Sequence, residues 1–321
     1  MRRAAALTIL LAAMALPARA VAIEKVETPE PAPVVPPAPV APPDTQPPLA
    51  LTFERVGDKR TVLLGQRIRV RGATIAFVPD ETITLRFFSS GREVGSMEVP
   101  LRPGAQGGGA FRVSYRPERY GPLLVHASHA ATPALGELLA TSEELDVLPR
   151  SVGRRSRRGA VRVLQLRLAR LGYVVGRHGV YDARTARAVL AFRKVTGMPR
   201  RFSASRGVMS AIARGAGGFK IRQPSHGRHI EADLSRQVIA LIDGGRVQRI
   251  YPISSGKPGT PTVTGSFHVY LKRFGTNAKG MLHAAYFIGG YATHGYPSVP
   301  VYPASHGCLR VPNREALSLF R

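Results

Sequence analysis

The chain has 321 residues, 44% of them hydrophobic, which is enough for two or three domains with cores of their own. It carries 46 Lys and Arg, 39 of them Arg, against 20 Asp and Glu, and the formal net charge of +26 asks for anionic surroundings: nucleic acid, anionic lipid or acidic polymers. A high-GC genome would also enrich arginine and leave it merely solvated. The single cysteine, Cys308, excludes an intramolecular disulfide.

In chain order, Met1-Arg2-Arg3 is a basic start, Ala4 to Leu16 an apolar run, and Pro17-Ala18-Arg19-Ala20 a small-residue cleavage site. Residues 1–20 therefore read as a secretory signal peptide cut after Ala20. The apolar run is short against the ~20 residues of a membrane span, although an uncleaved leader would act as an anchor. No cysteine follows that could carry a lipid. Export removes nucleic acid as a partner and places the protein in the extracytoplasmic space. Residues 21–50 hold ten prolines between Pro29 and Pro48, a density that predicts an extended, disordered tether.

Residues 51–149 alternate polar and apolar side chains, as in Gln66–Arg71, Thr82–Phe87 and Phe111–Tyr115, with glycines between. About seven antiparallel strands are expected there, an immunoglobulin-like sandwich without the Cys and Trp of antibody domains. His126 and His129 read as surface residues, and the segment as a spacer or docking surface. Residues 150–158, with Arg154-Arg155-Ser156-Arg157-Arg158, read as a solvated basic linker.

From residue 159 the period changes to that of helices. Val161, Leu164, Leu168 and Leu171 lie on one face, ending at Gly172. Asp182 suits the N-cap of a second helix that carries Ala186, Val189 and Phe192 and closes at Gly197. Residues 202–218 read as degenerate and Gly/Ser-rich, with Gly215–Gly218 a flexible joint. Strand signals return in 219–321: His229–Asp233, Arg236–Ile242, a hairpin turn at Asp243-Gly244-Gly245, Val247–Ser254 and Thr264–Tyr270. Asn313–Phe320 reads as a short helix capped by Asn313.

Chemistry concentrates near Cys308. A lone thiol with His294 and His306 upstream and Arg310 downstream has what a cysteine nucleophile needs: an imidazole base and positive charge. His306, two residues away in a Gly-containing turn, has limited reach to the sulfur, whereas His294 comes from another segment. The rival reading is zinc on His283, His294, His306 and Cys308, but tight ligand pairs such as Cys-x2-4-Cys are absent. Neither metal nor cofactor is expected.

Two resemblances follow. Val161–Met198, with Leu171-Gly172-Tyr173 and Gly179-Val180-Tyr181-Asp182, resembles the small helical peptidoglycan-binding domain found beside wall enzymes. Asp233–Gln237, Ser254–Pro261, Thr264–Phe267, His294-Gly295 and Ser305-His306-Gly307-Cys308-Leu309-Arg310 resemble the L,D-transpeptidase catalytic domain of the YkuD family. The implied protein is multidomain and mostly β: an Ig-like sandwich, a helical module over 159–214 and a β-rich catalytic domain over 219–321, in which, if Arg321 is the natural end, the family's closing strand would be missing and a sheet edge exposed. The implied activity is cysteine acyl transfer on peptidoglycan stem peptides, forming 3→3 cross-links. The alternatives are an L,D-carboxypeptidase on the same substrate and a non-catalytic wall-binding protein. Anionic wall polymers are further partners, and no stable protein partner is implied.

The resemblance assigns Cys308 as nucleophile and His294 as base. Some members carry a Ser after that His; here Gly295 leaves only a main-chain carbonyl to orient the imidazole. Gly307 and Cys308 amides are the expected oxyanion donors, His306 belongs to the turn, Ser305 is a turn-stabilising hydroxyl, and Arg310 would pair with a stem carboxylate. Tyr286, Phe287, Gly289, Gly290 and Tyr291 are candidates to line the donor groove.

Overall fold

The computed structural model describes residues 48–321. The leader and most of the proline-rich tether lie outside the described residues. No helix among those described is long and apolar enough to cross a membrane.

The first region holds ten strands rather than about seven: β1 (Leu49–Glu54), β2 (Thr61–Leu63), β3 (Ile68–Thr74), β4 (Thr82–Ser89), β5 (Arg92–Pro100), β6 (Arg102–Pro103), β7 (Gly109–Tyr115), β8 (Gly121–His129), β9 (Leu138–Thr141) and β10 (Leu145–Leu148). One sheet runs β1-β3-β7-β6. The other runs β2-β10-β8-β4-β5, with β9 also on β8. Alternation buries Val70, Phe111, Leu85, Phe87, Val125 and Val147 in a single core to which both sheets contribute. The extra strands are two- to four-residue pieces, too short to show a period. His129 is not a surface residue: its ring is buried, with Nε2 2.8 Å from a Glu81 oxygen and Nδ1 3.1 Å from Gly136 O.

Three helices follow, α1 (Arg158–Arg170), α2 (Ala183–Val195) and α3 (Arg206–Ala213). Asp182 caps α2 as its position predicts, accepting from Thr185 N at 2.9 Å. The stretch expected to be degenerate instead forms α3, which buries Val208, Met209, Ala211 and Ile212. The basic linker is not wholly solvated, since Val152 is buried and bridges to Ala204. Nor is Gly217 in a loose joint. Its φ is +102°, its carbonyl accepts from Tyr173 Oη at 2.6 Å, and a Cβ there would meet the Phe192 ring at 2.2 Å.

The last region comprises β11 (His229–Asp233), β12 (Val238–Asp243), β13 (Arg246–Pro252), β14 (Leu271–Thr276), β15 (Leu282–Ile288), β16 (Tyr291–Tyr296), β17 (Leu309–Pro312) and α4 (Asn313–Phe320). The sheets are β11-β12-β13 and β14-β15-β16-β17. Residues 264–270 are not a strand, and pairing begins at Leu271. Asn313 is the first residue of α4 and makes no side-chain cap. The outer edge of β17 is covered: Arg310 N donates to Ser254 O at 3.0 Å and Ser254 N to Arg310 O at 3.1 Å. The helices share one core with this region. Val238, Ala240, Ile242 and Ile250 are buried in the same cluster as Leu164, Val189, Phe192 and Met209.

Candidate active site

β16 and β17 are parallel neighbours, with Thr293 opposite Leu309 and His294 opposite Arg310. β17 begins one residue after Cys308, so the pairing sets the segment that carries the thiol alongside the strand that carries His294. The pairing thus brings together two groups fourteen residues apart in sequence.

His294 is 3% exposed and its Nδ1 lies 2.9 Å from Gly295 O. A carbonyl only accepts, so Nδ1 carries the proton and Nε2 the lone pair. Burial, which outweighs the Gly295 bond, pushes the imidazole pKa below its ordinary value, and the Arg310 charge pushes the same way. Gly295 has no room for a side chain. A Cβ there would lie 2.8 Å from Ala316 Cβ and 2.9 Å from Asn313 Oδ1, both on α4. Orientation by the main chain is therefore built into the packing of α4 on β16.

The Cys308 thiol donates to Gly290 O at 3.7 Å. Burial raises its pKa above the ordinary thiol value, against the opposing pull of the Ala292 amide and the Arg310 and Lys279 charges. Both shifts point the same way, toward a proton kept on sulfur and an unprotonated imidazole.

The turn before β17 is fixed from several sides. Ser305 is buried; its N donates to Ser255 O at 2.9 Å and its O accepts from Lys257 N at 2.9 Å. Its Oγ donates to Cys308 O at 2.6 Å and accepts from Gly307 N at 3.1 Å. Because the Gly307 amide is engaged by Ser305, the Cys308 amide remains as the oxyanion candidate of the expected two. Thr262 Oγ1 donates to Gly307 O at 2.7 Å. Gly307 has φ +113°, and a Cβ would sit 2.1 Å from the Tyr291 ring, so only glycine fits. His306 is exposed.

The candidate groove residues divide. Gly290 and Tyr291 touch Cys308 and its turn, and Tyr286 packs in the small cluster that Cys308 borders. Gly289 lies at the hairpin tip, its carbonyl taken by Tyr270 Oη. Phe287 joins the cluster of Ile239 and Leu309. Arg310 is not free in solution: its guanidinium stacks 4.3 Å from the Tyr296 ring centroid, and Tyr296 meets His294 edge-on at 5.7 Å. The four suggested zinc ligands do not converge. His283 packs between Phe274 and Phe320 and accepts from Gly275 N at 3.1 Å. No group of three metal-suited side chains occurs among the described residues.

Residues 227–321 match the family model of the L,D-transpeptidase catalytic domain, YkuD. This region is a YkuD L,D-transpeptidase catalytic domain. No curated protein matches the chain. Among solved structures, an L,D-transpeptidase (residues 123–326) from Xylanimonas cellulosilytica is 36% identical over 52% of this chain and 88% of its own, with a TM-score of 0.48. The catalytic domain of the Enterococcus faecium L,D-transpeptidase is 29% identical over 27% of this chain and 82% of its own, at 0.24. The C442S mutant of the E. faecium enzyme is 24% identical over 36% of this chain, which spans 57% of that one, at 0.27.

Several residues that shape the site of the YkuD domain escaped the sequence reading. Thr262, Ser254, Ser255 and Gln237 hold the Cys308 turn through hydrogen bonds, and Tyr296 holds Arg310. Ser254, Ser255 and Gln237 lie inside the quoted motifs but carried no assigned role. The helical segment's Lys194 carried no signal at all.

Proposed function

We propose that the chain is a peptidoglycan L,D-transpeptidase in which Cys308 is acylated by a tetrapeptide stem and His294 is the general base. The observation that carries this reading is the hydrogen bond of His294: Nδ1–H is committed to Gly295 O, which leaves the Nε2 lone pair free to take a proton, on the strand paired with the one that follows Cys308. As Cys308 attacks the carbonyl of the third stem residue, its proton passes from the Gly290 carbonyl to Nε2. The tetrahedral oxyanion forms against the Cys308 amide, and the C–N bond breaks as Nε2 returns the proton to the leaving D-Ala amine. The resulting thioester is attacked by an amine of a neighbouring stem, Nε2 takes that proton, and the thiol is regenerated. Arg310, pre-set by Tyr296, receives a stem carboxylate, and Tyr291 lines the donor side.

Mass spectrometry of the protein with tetrapeptide stem tests the reading. An adduct on Cys308 and loss of D-Ala are expected, with product cross-links absent from Cys308→Ala. His294→Ala is expected to lose acylation by at least 100-fold and His306→Ala by less than tenfold; the reverse order refutes the base. A β-sandwich spacer and a wall-binding role for 159–214 complete the proposal. Sedimentation with insoluble peptidoglycan at low and high salt separates specific binding from attraction by charge.

A further inference from the structure

α2 is linked to the turn that holds Cys308 by a relay of hydrogen bonds. Lys194, in its last turn, is 3% exposed, and its Nζ donates to Gln237 O at 3.0 Å and Ile253 O at 2.9 Å. No carboxylate pairs with it among the described residues. Gln237 is 1% exposed and sits at φ +59°, a region costly for a residue with a Cβ unless its surroundings hold it there. Its side chain bonds Ser255 twice, Nε2 to Oγ at 2.6 Å and Oε1 from N at 3.0 Å. Ser255 O accepts from Ala304 N and Ser305 N, both at 2.9 Å, and Ser305 Oγ closes on Cys308 O. The path Lys194–Gln237–Ser255–Ser305–Cys308 is continuous, and its first four members are each at most 3% exposed.

Burial without an anion pushes the Lys194 ammonium down to about 7, with Arg200 adding to the effect. A methionine would fill the same slot without that desolvation cost. What lysine adds is a pair of donors aimed at two carbonyls that flank Ser254 and Ser255.

The opposite end of α2 reaches the His294 side. Arg184 donates to Glu315 at 2.6 Å on α4, whose Ala316 is packed against Gly295. We infer that Lys194 is a positioning residue that sets the Cys308 turn through Gln237 and Ser255. The inference rests on the proposed role of Cys308.

The test uses the full chain with a carbapenem, following acylation of Cys308 by mass spectrometry. Lys194→Met is expected to lower the acylation rate at saturation tenfold or more, with the half-saturating concentration changed less than threefold and the circular dichroism native. Ser255→Ala is expected to move in the same direction. Phe192→Leu, which thins the buried core under α2 without removing a hydrogen bond of the path, is the packing control and is expected to keep its rate. A Lys194→Met rate within twofold of wild type overturns the inference, as does an equal loss in Phe192→Leu. If Lys194→Met does not fold, Ser255→Ala decides, and a rate within twofold of wild type is fatal. Wild-type Cys308 refusing the carbapenem would count against the proposed function. Alkylation by iodoacetamide still decides the inference in that event, because it needs no substrate recognition. Its pH profile is expected to shift downward in the path variants as the thiol gains solvent, and an unmoved profile overturns the inference.

Discussion

At the scale of single residues, the site is set by two opposed burial effects. Burial raises the Cys308 thiol and lowers the His294 imidazole, so at neutral pH neither is charged. Deprotonation must then accompany attack. With His294 as the proposed base, acylation needs its imidazole neutral, so the rate is expected to rise through a pH below the ordinary imidazole value of about 6.5 and to be flat above it. Alkylation by iodoacetamide, which needs the free thiolate, climbs only at alkaline pH. An alkylation rate already flat across pH 6–8 would mean a preformed thiolate and refute this account.

Gly295 supplies a second residue-level prediction. Gly295→Ser forces a Cβ against Ala316 and Asn313, and should cost about 1–3 kcal/mol in denaturant unfolding. Ala316→Gly in the same chain should recover most of it. The residues proposed to carry the chemistry could be named from the sequence, because Cys308, His294 and Gly295 lie in two short motifs, His294-Gly295 and Ser305–Arg310. The thiol's charge state was not legible. It depends on the desolvation imposed by partners such as Met281 and Tyr286, which the motif does not contain.

At the scale of elements, the ion pair that ties α2 to α4 carries most of the risk. Glu315 is 3% exposed, receives Arg184, and leaves its Oε1 unpartnered beside the buried Nε atoms of Arg184 and Arg187. Arg184→Met strands a carboxylate in that setting and should cost about 3 kcal/mol. The double variant Arg184→Met/Glu315→Met should regain stability relative to the single one, as read by thermal unfolding; a strictly additive pair would contradict the coupling. The helices themselves were partly readable. α1 and α2 announce themselves by apolar spacing and by Asp182. α3 does not, because Val208, Met209, Ala211 and Ile212 fit in barely two turns and are flanked by Ser, Arg and Gly that read as loop. Lys194 misleads for a similar reason: a lysine in a last helical turn ordinarily reads as solvated and favourable to the helix dipole.

At the scale of the molecule, the sequence suggested modules joined by flexible connections. From residue 48 onward they share cores instead. Val238, Ala240, Ile242 and Ile250 of the YkuD domain are each no more than 1% exposed and are covered by the helical segment. Cutting the chain at Gly218 and expressing 219–321 alone would lay this face bare. That fragment should aggregate or bind a hydrophobic dye, whereas a chain from residue 150 should remain soluble and keep the reactivity of Cys308. A monodisperse 219–321 fragment with intact reactivity would show that the shared core is dispensable.

The hydrogen bond from Cys308 to Gly290 has one more consequence. Peroxide oxidises thiolates far faster than thiols. A sulfur that keeps its proton on a backbone carbonyl until a substrate arrives is shielded from the first step toward sulfenic acid. The lone cysteine of this chain also has no second thiol within it to rescue an oxidised form. Sulfenic-acid formation is accordingly expected to be slow at neutral pH and to quicken as pH rises through the raised pKa of the thiol.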